Sequence, residues 1–99
     1  MALVTRWSIE AEETFNEIIE YLENNWTEKE IQNFVRKAHK VIGQIEKNSY
    51  QFKSSSFREI RKAFITKHNN MFYFVNEDDG TVELYAFWDN RQDDKKSPY

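Results

Sequence analysis

Three short runs of aromatic and β-branched residues, packed into residues 59–88, most constrain what this chain can fold into. Residues 59–66, 71–76 and 81–88 each read as a strand, and turn-forming residues separate them. Lys67-His68-Asn69-Asn70 joins the first two. Glu77-Asp78-Asp79-Gly80 joins the last two, and Asp-Gly is a strong hairpin signal. Links this short force antiparallel neighbours. The runs are apolar on both faces. Met71, Tyr73 and Val75 alternate with Phe72 and Phe74, and Val82, Leu84, Ala86 and Trp88 alternate with Tyr85 and Phe87. One face needs a helical cover. The other carries more aromatic surface than a solvent face requires, which points to a partner or, as the alternative, a tight homodimer.

The cover lies upstream. Ser8 can cap a helix whose first turn holds Glu10, Glu12 and Glu13, where the helix dipole favours acid. Ala11, Phe15, Ile18, Leu22 and Trp26 share one face of it. Thr27-Glu28-Lys29-Glu30 reads as a capping box opening a second helix, with Trp26 and Ile31 as its hydrophobic staple. Ile31, Phe34, Val35, Ala38, Val41, Ile42 and Ile45 form a stripe wide enough to meet both the first helix and a sheet. So short a link makes the helices an antiparallel hairpin. Residues 2–7 read as a leading strand, 48–57 as an irregular stretch anchored by Tyr50 and Phe52, and 93–99 as a polar tail. The expected fold is α+β, one domain over residues 1–99. Its order is strand–helix–helix–strand–strand–strand, with the helical hairpin on one face of a small, mainly antiparallel sheet.

Composition narrows the chemistry. There is no cysteine, which excludes a disulfide framework, a Cys-based zinc site and a thiol nucleophile. His39 and His68 stand far apart, and Glu12-Glu13, Asp78-Asp79 and Asp93-Asp94 suit a helix start, a turn and a tail, so no metal is expected. Ser54-Ser55-Ser56 lacks the glycine elbow of a serine nucleophile. With no Gly-rich phosphate loop either, no cofactor is expected. No apolar run approaches about 18 residues and the first residues lack a signal-peptide pattern, so the expectation is a cytoplasmic protein without membrane contact. The net charge of −3 conceals a division. Residues 8–30 hold eight Glu against one Lys, and residues 36–67 hold nine Lys or Arg against two Glu. The basic half could serve as a surface for nucleic acid or an acidic peptide, although clustered charge of this kind is commonly just a solvated face.

Two stretches carry a family resemblance. One is Arg58-Glu59-Ile60-Arg61-Lys62-Ala63-Phe64 followed by Met71-Phe72-Tyr73-Phe74-Val75. The other is Val82-Glu83-Leu84-Tyr85-Ala86-Phe87-Trp88-Asp89-Asn90-Arg91-Gln92, a hydrophobic last strand leaving through a polar, Arg-bearing exit. Following the leading strand and the helical hairpin, and so in this order over nearly the whole chain, they resemble the RelE/ParE superfamily, the plasmid-stabilisation-type toxins of bacterial type II toxin–antitoxin pairs. The resemblance implies a toxin without cofactor, neutralised by a cognate antitoxin. Its target would be DNA gyrase in the ParE branch, or messenger RNA on the ribosome in the RelE branch, whose members cut without a metal.

The RNA-cutting branch places two lysines on the first of the three strands, an arginine on the second, an arginine at the exit and a tyrosine near the end. Carried over, Arg91 matches the exit arginine and Arg61 stands at the first lysine. Ala63 stands at the second lysine, and Asn70 or Met71 at the second-strand arginine. Tyr99 lies at a different spacing, and Asp93-Asp94 follow Gln92 where many members of the superfamily carry Asn-Pro or Asp-Pro after an Asp-x-Arg-Gln exit. Arg61 keeps a charge but hardly deprotonates. Lys62, Lys67 and His68 are the available substitutes, and histidine is the residue type that exchanges protons near neutral pH. The candidate catalytic residues are therefore Arg91, Arg61, Lys62 and His68. The candidate target- or antitoxin-binding residues are Arg58, Lys67, Tyr73, Tyr85, Phe87, Trp88 and Asp89. The thinned catalytic set favours binding of an essential target, ParE-like or in an unassigned subgroup, over a metal-independent endoribonuclease. A non-toxic binding or regulatory relic of the fold is the third reading.

Overall fold

The computed structural model describes residues 3–47, 60–76 and 78–90. Strand β1 (Val4–Trp7) leads into helix α1 (Ile9–Asn25) and helix α2 (Glu28–Lys47). Strands β2 (Arg61–Thr66), β3 (Asn69–Asn76) and β4 (Thr81–Asp89) follow. The sheet runs β1-β4-β3-β2. The two hairpins are antiparallel, as their turns require, and β1 lies parallel to β4 at the far edge. Parallel neighbours need a long crossover, and everything between β1 and β4 supplies it. The expected element order and the helical hairpin over one sheet face are both present. Tyr50, Phe52, the Ser54-Ser55-Ser56 run, Arg58, Arg91 and the tail from 93 lie outside the described residues.

Local chemistry explains the boundaries. Ser8 caps α1, its Oγ accepting from the Ala11 N–H at 2.9 Å. At α2 the Thr27 hydroxyl lies 3.3 Å from Glu30 Oε1 and donates to it, and the Glu30 N–H goes to the Thr27 carbonyl at 3.0 Å. The side chains thus meet each other rather than the backbone donors a capping box would satisfy. Trp26 stays half exposed while Ile31 packs against the core. The β3–β4 turn uses Gly80 at φ +67°, a conformation that costs a glycine little. The β2–β3 turn is tighter than expected, because β3 already begins at Asn69.

The core lies between the helices and one sheet face. Trp7, Phe15, Phe34 and Phe87 interlock there, with the four closest ring pairs 5.0–5.3 Å apart. Such pairs contribute about 0.5–1.5 kcal/mol each beyond the area they bury. Ala63, Ile65, Met71, Tyr73, Val82 and Leu84 complete the sheet's share of the core.

Strand β4 contains a bulge. Phe72 pairs with Ala86 and Tyr73 with Leu84, so Tyr85 is an extra residue. The start of α1 holds this bulge in place. The Ser8 hydroxyl donates to the Tyr85 carbonyl at 3.0 Å, and the Ser8 N–H donates to the Leu84 carbonyl at 3.1 Å. The Phe87 N–H donates to Thr14 Oγ1 at 2.8 Å, and that hydroxyl donates onward to the Glu10 carbonyl at 2.7 Å. Replacing Thr14 by Val should leave the Phe87 N–H without its acceptor and lower stability by about 1–3 kcal/mol. Ser8→Ala should cost about 0.5–2 kcal/mol, and Thr14→Ser should recover most of the Thr14 loss. Urea unfolding midpoints of the three variants check this.

Candidate functional site

The bulge decides which aromatic residues meet solvent. Beyond it β4 reverses its alternation, so Phe87 joins Val82 and Leu84 in the core while Ala86 and Trp88 turn to the opposite face. On that face Lys62, Phe72 and Ala86 form a row across three strands. Ile60, Phe72 and Ala86 make a small buried floor, against which the partly buried Tyr85 and Trp88 pack. Phe74 stacks on Tyr85 with centroids 6.4 Å apart and planes 19° from parallel. Lys62 is exposed above Phe72. An ammonium beside flat rings suits a partner that offers both a negative group and an apolar or planar one.

The turn end of the sheet is polar and tightly bonded. The Thr66 hydroxyl donates to Asn69 Oδ1 at 2.6 Å, and the His68 N–H donates to Thr66 Oγ1 at 3.1 Å. The Asn90 N–H donates to the His68 carbonyl at 2.6 Å, and Asn70 Nδ2 donates to Asn90 Oδ1 at 2.7 Å. These bonds hold the Lys67-His68 turn beside Asn90, the residue that precedes Arg91. Of the asparagines that build this end, the sequence comparison noted only Asn70, at the second-strand arginine position, and none was a candidate site residue. The signal available for them was an Asn pair opening an otherwise hydrophobic strand.

The structure sorts the candidates into groups. Lys62, Tyr85 and Trp88 come together on the open sheet face. His68 and Lys67 come together at the exit end, with Asp89 buried opposite Asn69 at the end of β4. Tyr73 and Phe87 are core residues, almost wholly buried, and offer nothing to a partner. Arg61 pairs across the strands with Tyr73, two positions from the buried Ala63, and so stands apart from Lys62. Arg91 and Arg58 lie outside the described residues. Among the described residues no three His, Asp or Glu side chains gather as metal ligands, and no helix is long and apolar enough to cross a membrane.

The chain matches no protein-family model, and no curated protein matches it. Solved structures do. The toxin–antitoxin complex RelBE2 from Mycobacterium tuberculosis matches with TM-score 0.63 and 11% identity, over 90% of this chain and 99% of that one. A metal-bound toxin from Helicobacter pylori matches at 0.65 and 11%, over 91% and 97%. The YoeB dimer from Staphylococcus aureus matches at 0.62 and 16%, over 89% and 97%. At these identities the likeness is one of fold, and it runs nearly the full length of each chain.

Burial pushes the Tyr73 hydroxyl up from 10.0 to about 12, with the Arg61 charge pulling the other way. The folded chain therefore keeps this proton where the unfolded chain has lost it. Stability that is complete below pH 10 should fall as pH rises toward 12, by roughly 2–3 kcal/mol across the window. Tyr73→Phe should remove that part of the slope. Urea unfolding of both proteins at a series of pH values from 9 upward measures the difference.

Proposed function

From a fold shared end to end with toxins of toxin–antitoxin pairs, we propose that this chain is itself the toxin of a type II pair. It acts in the cytoplasm by binding an essential target and is silenced by a cognate antitoxin. The observation that carries this reading is the sheet face away from the helical layer, where the exposed Lys62 and the partly exposed rings of Phe74, Tyr85 and Trp88 surround a buried floor of Phe72 and Ala86. A solvated face does not need that much aromatic surface, and a binding face does. The target in this reading is ParE-like, DNA gyrase, or that of an unassigned subgroup.

One observation favours a second reading, RelE-like cleavage of messenger RNA on the ribosome. The hydrogen bond from Asn90 to the His68 carbonyl sets a histidine next to the residue that precedes Arg91. In such cleavage the 2′-hydroxyl loses its proton and attacks the neighbouring phosphate. The departing 5′ oxygen takes up a proton, and nearby cations stabilise the crowded phosphate.

Inducible expression with RNA integrity and plasmid supercoiling read side by side separates these readings. Growth arrest relieved by co-expressing a neighbouring antitoxin gene is expected. Lys62→Glu and Trp88→Ala should abolish the arrest, and the exposed Lys62→Glu change should shift stability by no more than about 0.5 kcal/mol. Lost supercoiling with intact transcripts is the outcome for gyrase. Cleaved transcripts, protected by His68→Ala or Arg91→Ala, are the outcome for the ribosome. Unimpaired growth when the lone protein is expressed would reject the toxin reading and leave the regulatory relic.

A further inference from the structure

A groove of about 570 Å³ opens between the helical hairpin and the β2–β3 turn, and Phe64, two positions from Lys62 on β2, marks where it meets the edge of the open sheet face. Its volume lies in the range of small-ligand sites, roughly 300–1,000 Å³. Leu22 and Phe34 are buried residues of its wall. Two large aromatic residues line it from opposite layers of the fold: Trp26 between the helices, 50% exposed, and Phe64 on β2, 59% exposed. Folding alone does not call for either ring to meet water. Lys37, Lys67 and His68 line it too, against a single acid, Glu30.

The groove also holds an incomplete polar group. Asn69 is only 3% exposed, and its Oδ1 accepts from the Thr66 hydroxyl. Its Nδ2 is buried without a hydrogen-bond partner. A buried donor left this way is costly, and native structures rarely keep one without a reason. Asn69 lines the groove, and a small movement of its side chain would bring this buried donor to an acceptor seated there.

We infer that this groove binds a nucleotide, with the base against Trp26 and Phe64, the phosphate at Lys37 and Lys67, and a base acceptor taking the Asn69 amide. Bases stack on aromatic side chains whatever their identity, and lysines hold phosphate as point charges. Flat rings from both layers and a volume suited to one nucleotide favour this occupant over an acidic peptide. The site lies apart from Phe72, Tyr85 and Trp88 but shares Lys67 and His68 with the exit end, and its test reads nucleotide binding rather than growth arrest, so the two proposals fail separately.

The test titrates the full chain, labelled with ¹⁵N, with adenosine and uridine 5′-monophosphate while the tryptophan indole and asparagine amide signals are followed. Trp26→Ala identifies the Trp26 signal. The expected result is a shift of the Trp26 indole and the Asn69 amide with the Trp88 indole unmoved. Adenosine without phosphate should bind roughly tenfold more weakly, and Lys37→Glu combined with Lys67→Glu should weaken the monophosphates by about tenfold or more. No shift at millimolar nucleotide would overturn the inference. So would shifts confined to Trp88, an equal response to inorganic phosphate alone, or a response to a short Glu/Leu peptide and none to nucleotide.

Discussion

Two hydroxyls at the start of α1 hold this fold in its particular form. Ser8, the cap of α1, and Thr14, six residues on, between them satisfy the carbonyl of the extra residue Tyr85 and the N–H of Phe87 in β4. A bulge costs a strand part of its ladder, and the helix supplies what the ladder loses. Everything downstream depends on that exchange. With strict alternation Phe87 would share a face with Tyr85, and Ala86 and Trp88 would enter the core. The aromatic cluster of Trp7, Phe15 and Phe34 would lose Phe87, and the open face would lose Trp88.

Much of the architecture was legible in the residues. The helix start at Ser8, the stripes of α1 and α2 and the Asp79-Gly80 turn are local signals, and each depends on a few neighbouring side chains. The bulge was not legible, because β4 is apolar on both faces and its period of two looks the same from either side. No glycine marks the bulge either. The parallel pairing of β1 with β4 joins residues more than seventy positions apart, beyond any local pattern. For the site, Lys62, Tyr85 and Trp88 could be picked out as charge and aromatic surface. Tyr73 and Phe87 looked equivalent to them and are core residues, Tyr73 by its parity on β3 and Phe87 because the bulge reverses the parity of β4. The polar end built by Asn69, Asn70 and Asn90 depends on the register between strands, which a sequence does not display.

The division of charge along the chain becomes a division in space. Glu10, Glu12, Glu13, Glu17, Glu20 and Glu23 are all exposed on α1, so that helix presents an acidic surface. Lys62 and Lys67 are exposed on the β2 strand and its turn, at the opposite edge of the sheet from β1. An anionic partner is repelled by the first surface and drawn to the second, which orients the encounter before any contact forms. Screening limits this guidance to about 10 Å at 0.1 M salt, so it acts in the last steps of approach.

The parallel edge has a consequence for how the molecule comes into being. During synthesis β1 and α1 are made early, yet β1's neighbour in the sheet is the last strand. The Ser8–Tyr85 bond joins residues 77 positions apart. Closing a contact of that range is slow compared with forming the helices or the hairpins. The nascent chain therefore carries a helical hairpin without its sheet until β4 has emerged, and no finished binding face exists before then. In a chain of this architecture the sheet face away from the helices, which needs Ala86 and Trp88, is complete only once β4 has left the ribosome.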